Sequence, residues 1–352
     1  MLVTYIANPY YPQDTMSNEP VEIIRESTRN LLQLNRRIHK DEETNSRRAI
    51  QEIRINKETI LDIANKLKTK SCITITDLQT LKNGLIENSN YVEAVLSVHG
   101  ALRGLIRELT GHNVKKQCLA AGCCCNLALG DSRACITIAK AAGSYLTTAL
   151  DNLTTDLAVS SAWTLGNLAG ADPRVCNILT SQGAFAKLSE VYNNEDIQDA
   201  ALYALVHFTY QMRDDLRTDQ LIKILQTLTK LDISMMSAQL LFIASCHEHF
   251  SENVTEELLQ KILEQIPSAF EYHTQKCPQI KKCCKLLYLV RTLANMDKMY
   301  AVILNYFTLN NMSGMFKSLL NSNKCVSDSC MWLLGNLYNF CDDKQFFNML
   351  TT

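Results

Sequence analysis

Glycine and proline are scarce in this chain, with 12 and 6 among 352 residues, while Leu, Ala, Ile and Asn are abundant. That balance favours a mostly helical protein with enough apolar residues, 47%, to bury a sizeable core. Long hydrophobic runs are missing too: no stretch reaches the eighteen or so uninterrupted apolar residues of a membrane helix. The start, MLVTYIANPYYPQ, has neither a basic segment nor a long apolar one, so no secretory signal is expected. Net charge is also lacking, at −1, which argues against nucleic-acid binding by charge alone. No glycine-rich phosphate loop or Ser/His/Asp or Cys/His signature stands out, so no enzyme, cofactor or small-molecule substrate is expected. His247-Glu248-His249 is not a metal motif, because helix residues two apart diverge and nothing completes the set.

Cysteine is plentiful, at fourteen. Cys123, Cys124 and Cys125 are consecutive, as are Cys283 and Cys284, and all lie in apolar helical pattern. Neighbours on a helix point about 100° apart and cannot converge on one metal. Small buried thiols in a reducing cytoplasm or nucleus are the expectation. Charge is unevenly placed. Residues 25–70 hold twelve Lys/Arg against seven Asp/Glu, whereas residues 1–24 hold three acids and no Lys/Arg. A basic segment thus precedes a mildly acidic body.

The strongest signal is repetition. WTLGNL at 163–168 returns as WLLGNL at 332–337, with Trp and Asn four apart both times, hence on one helix face. In the same register stand Asn126, Asn167, His207 with Tyr203 four before it, Asn295 with Arg291 four before it, and Asn336 with Trp332. The steps are 41, 40, 88 (two units) and 41 residues, and the missing member falls near Phe242 to Cys246. Gly100, Gly143 and Gly183 recur 24–26 residues before Asn126, Asn167 and His207, each suited to ending a short helix. This spacing predicts an all-α, armadillo-repeat, right-handed superhelical solenoid of about seven three-helix units.

Stacked units place their long helices side by side. There a row of Asn amides can clamp the backbone of an extended peptide, and tryptophans one turn away can hold Lys or Arg stems. Asp131 and Asp172, each five residues past a ladder Asn, are candidates for selecting a basic peptide. The alternative is that Trp163 is core and Asn167 crosslinks neighbouring turns. Recurrence at Trp332/Asn336 favours the binding role.

Tandem WxxxN units behind a basic helical segment resemble the importin-alpha family, adaptors for nuclear localisation signals. The resemblance runs from about Arg47 to the C-terminus. It implies two peptide sites, one at Asn126, Trp163/Asn167 and Tyr203/His207 and another at Arg291/Asn295 and Trp332/Asn336. RRAIQEIRINKETIL is similar to the family's importin-beta-binding helix, with Arg47, Arg48, Arg54 and Lys57 in matching positions. The implied partners are basic signal-bearing cargo proteins and importin beta, and the implied residence is cytoplasm and nucleus. The expected organisation is a largely disordered segment at 1–46, a basic arm helix at 47–71 and the solenoid at 72–352. Departures mark a divergent member: Gly122 stands where a Trp belongs, Tyr203/His207 replace a Trp/Asn pair, and Ile55 interrupts the basic run. An armadillo scaffold that has lost signal binding is the alternative.

Overall fold

The computed structural model describes residues 55–69, 73–190, 195–276, 285–322, 324–342 and 345–346. Among them the regular structure is entirely helical. The chain divides into two compact units, residues 1–211 and 212–352.

The first unit begins with α1 (Lys57–Thr69) and α2 (Ile75–Glu87). The apolar stripe of α1, Ile60, Ile63, Ala64 and Leu67, is buried. It packs on α2 and on two helices of the next repeat, α3 (Asn90–Ser97) and α4 (Ala101–Leu109). Gly104 is what lets α4 approach: a Cβ there would meet the Leu67 carbonyl. The sequence reading places a basic arm helix at 47–71, ahead of a solenoid that starts at 72. Its described part is instead the first helix of the stack, because its spacing of apolar residues demands burial. Lys57 opens that helix, whereas Arg47, Arg48, Arg54 and the segment 1–46 lie outside the described residues.

Then come α5 (Val114–Leu127), α6 (Ser132–Ala149), α7 (Thr155–Ala169), α8 (Pro173–Ser181), α9 (Ala184–Leu188) and α10 (Glu195–Gln211). Gly100 and Gly183 end short helices in the left-handed region, at φ 95° and 83°. Gly143 does not: α6 runs straight through it. Its lack of a side chain admits Leu179 and Gln182 of the next repeat, and the Gln182 amide bonds the Ala139 carbonyl at 3.2 Å. A small residue at that position therefore serves packing. The long helices α2, α5, α7 and α10 lie side by side in sequence order.

The second unit contains α11 (Thr218–Lys230), α12 (Met235–Ser245), α13 (Phe250–Asn253), α14 (Glu256–Lys276), α15 (Lys285–Ala294), α16 (Tyr300–Leu309), α17 (Ser313–Leu320) and α18 (Lys324–Phe340). Here the long helices α12, α15 and α18 form the row. One long helix per repeat gives seven repeats among the described residues. The amphipathic helices bury their stripes within each repeat and against the neighbouring one, so the stack itself is the core.

Candidate binding face

The repeated asparagines do one thing in common. Asn126 Nδ2 donates to the Lys82 carbonyl at 2.7 Å, Asn167 Nδ2 to the Cys125 carbonyl at 3.2 Å, and Asn336 Nδ2 to the Ala294 carbonyl at 2.8 Å. Each acceptor immediately precedes the ladder position of the preceding repeat. Asn295 follows the rule with a side chain, donating to Ser245 Oγ at 2.9 Å. The amides are thus crosslinks from one long helix to the last.

This regularity exposes ladder positions that the sequence pattern alone left open. Lys82 precedes Asn83, which is the first rung, 43 residues before Asn126. Ser245 precedes Cys246, which makes Cys246 the fifth rung and Phe242 its aromatic partner. The first was legible as an Asn in step. The second was hidden because neither Trp nor Asn survives there.

In the first row the rungs Asn126, Asn167 and His207 are buried, whereas Asn83, Trp163 and Tyr203 are half-buried. Asn126 and Asn167 are only 2% and 3% exposed. The Asn167 carbonyl oxygen accepts the Tyr203 hydroxyl at 2.8 Å, so both ends of its amide are engaged. Tyr203 covers Trp163, with ring centroids 4.3 Å apart, and the buried His207 stands edge-on to Tyr203 at 4.5 Å. One turn further, Gln211 Nε2 bonds the Gly170 carbonyl at 2.9 Å. The slot opened by Gly122 is filled by the chain itself: a Cβ there would lie 3.0 Å from Lys82 Cδ. Asp131 and Asp172 are helix N-caps, accepting from the backbone of Ala134 and Arg174 at 2.8 Å each. Asp172 also pairs with Arg174, whose hydrogen bond holds its carboxyl below the usual range. The two acids therefore have local work that explains their position after each long helix.

The second row is more open. Arg291, Asn295, Trp332 and Asn336 are all half-buried. The Arg291 guanidinium lies 5.6 Å from the centre of the Phe242 ring, and its Nε donates to Ser329 Oγ at 2.9 Å. A cation from one repeat thus rests on the aromatic of the repeat before. Phe242 is also stacked with Tyr288 at 5.9 Å. The Tyr300 hydroxyl shares the Ala294 carbonyl with Asn336.

The fold is an armadillo-like helical repeat. Among solved structures, an engineered protein superposes with a TM-score of 0.60 at 16% identity, over 79% of this chain and 68% of that one. A designed armadillo repeat protein aligns at 14% identity over 79% of this chain and 99% of its own length, with a TM-score of 0.46. No family model matches the chain, and no curated protein does. Among the described residues no helix is long and apolar enough to cross a membrane, and no cluster of three metal-ligating side chains occurs.

Proposed function

We propose that this chain is a protein-interaction scaffold that binds an extended segment of a partner on the row α12, α15 and α18, while the row α2, α5, α7 and α10 is held shut by its own side chains. One contrast carries the reading. Asn167 has both polar ends bonded and is 3% exposed, whereas its counterpart Asn336 remains half-buried. In this reading the chain catalyses no reaction and uses no cofactor, metal, nucleic acid or membrane.

A sharper form makes it an importin-alpha-like adaptor working between cytoplasm and nucleus. It would carry basic signal-bearing cargo on this row and take importin beta through the segment that includes Arg47, Arg48, Arg54 and Lys57. Arg291 over Phe242 supports it, as an internal example of a cationic side chain seated on a ladder aromatic.

The test is a titration of a dye-labelled lysine-rich signal peptide, followed by anisotropy. Trp332→Ala/Asn336→Ala should weaken binding. A cation–aromatic contact contributes roughly 0.5–2 kcal/mol and a buried backbone clamp about 1–3 kcal/mol. Trp163→Ala/Asn167→Ala should lower stability and leave the affinity of the folded protein unchanged. Absence of any micromolar binding by the wild type would sink the adaptor form.

A further inference from the structure

The two rows of long helices differ in charge. Helices α2, α5, α7 and α10 carry six acids and three lysines between them. In the second row α12 bears no charge, α15 bears only Lys285 and Arg291, and α18 bears Lys324 and Asp328. Two of these cations already have an oxygen to hold. Lys285 Nζ donates to Gln265 Oε1 at 2.6 Å, and Lys324 pairs with Asp328, the row's one acid, at 3.5 Å.

Arg291 is different. It stands on the middle helix of the row, with α12 packed on one side and α18 on the other. Its Nε donates to Ser329 Oγ of α18 at 2.9 Å, and its guanidinium lies 5.6 Å from the centre of the Phe242 ring of α12. Ser329 is itself fixed: it is 2% exposed and donates to the Cys325 carbonyl at 2.7 Å. Three helices thus hold one half-buried cation in place. Among the described residues no carboxylate pairs with it, and its two terminal nitrogens make no hydrogen bond. Such a fork suits a carboxylate, which it can grip at two points.

We infer that Arg291 reads an acidic side chain, Asp or Glu, in the segment bound along this row. The inference rests on the reading that the row binds an extended segment, and it adds a requirement at one position of that segment. Neighbouring helices pack about 8–10 Å apart, and an extended chain advances about 3.3 Å per residue. The acid therefore falls about three residues from the side chain that lies on Trp332. A lysine there would bring like charge onto Arg291, with no acid of the row free to offset it. The row accordingly selects segments of mixed charge over uniformly basic ones. Ser329 is the positioning residue, since it aims the guanidinium without itself meeting the ligand.

The probe is a dye-labelled peptide in which lysine and glutamate alternate at every third position, with serine between, so that the spacing holds in either chain direction. A control peptide carries glutamine in place of glutamate. Titrated with the full chain, the glutamate peptide should bind about five-fold tighter than the control, the scale of a single ion pair, and the preference should shrink as salt rises. Arg291→Gln should bind the two peptides alike. Ser329→Ala keeps the charge but loses the anchor on Nε, so the preference should fall without disappearing. That variant also decides the matter if Arg291→Gln fails to fold. Equal binding of the two peptides by wild type, or a preference that survives unchanged in the folded variants, overturns the inference and leaves the row reading standing. If neither peptide binds at all, the row reading itself fails and the inference falls with it.

Discussion

Asn167 lies between two repeats with its nitrogen on the Cys125 carbonyl and its oxygen on the Tyr203 hydroxyl. At such a site the loss of the amide removes two hydrogen bonds between repeats, one of them to a buried carbonyl, and leaving a buried polar group unmatched typically costs about 1–3 kcal/mol. Asn167→Ala should accordingly lower the urea midpoint clearly. Asn336→Ala, at a half-buried site, should lower it less. Equal effects from the two substitutions would show that burial does not distinguish them. The residue scale also explains why the ladder persists where the tryptophan does not. The crosslink needs only an amide and a carbonyl one helix away, whereas the aromatic slot can be filled by the Lys82 stem at Gly122 or by Arg291 on Phe242.

Helices carry the next set of consequences. Glycine inside a helix is usually destabilising by roughly 0.5–1 kcal/mol relative to alanine. Gly335→Ala in α18 should therefore raise stability by about that amount, since among the described residues nothing lies within 4 Å of the added Cβ. Gly166→Ala should act in the opposite direction, because the new methyl overlaps the Tyr203 ring and presses on the Ala204 backbone. Overpacking of this kind costs about 1–3 kcal/mol. A same-sign result in thermal melts of the two variants would refute this contrast between the two glycines.

The start of α2 offers a pH-dependent case. Thr74 and Asp77 form a reciprocal capping box, and Lys66 Nζ lies 2.8 Å from Asp77 Oδ1. Burial by itself would raise the Asp77 carboxyl, but the bonds from Lys66 and Thr74 outweigh it and hold it below its ordinary value of 3.8. A lowered folded value means the contribution is complete above pH 3.8 and disappears as pH falls through the lower value. Asp77→Asn should cost about 1 kcal/mol at pH 7, and the difference from wild type should shrink as pH falls below 3.8. A gap that stays constant with pH would place the effect in packing instead.

At the scale of the whole molecule the buried thiols matter most. Burial pushes Cys124 and Cys176 up to about 12 and Cys125 to about 11 in the first unit, and Cys330 to about 12 in the second. Their ordinary value is 9.0. Above pH 9 the unfolded chain binds fewer protons than the folded one, so stability declines as pH rises towards the folded values. Each such thiol contributes a slope of about 1.4 kcal/mol per pH unit in that window. Under reducing conditions, urea midpoints measured from pH 8 to 11 should fall steadily, and iodoacetamide should leave these four cysteines unmodified at pH 8 until denaturant is added. Rapid labelling of native Cys124 would contradict its burial.

Much of the architecture was legible in the chain. The recurrence of Asn at steps of 40 and 41 residues, with few glycines and prolines between, determined an all-helical repeat and its number of units. Periodicity suffices for this because every repeat must bury the same stripe against the next. Several things were decided only by tertiary structure. Gly143 looked like a helix end and is a packing contact, since its role depends on Gln182, 39 residues away. Lys57–Thr69 looked like a separate arm and is the first helix of the stack, because Gly104 and Leu67 meet. The WxLGNL motif is identical in grammar at both places, yet Asn167 is sealed and Asn336 is half-buried. A sequence motif specifies which groups share a helix face, whereas the neighbouring helix determines whether those groups remain available, and at Gly166 and Gly335 the neighbours differ.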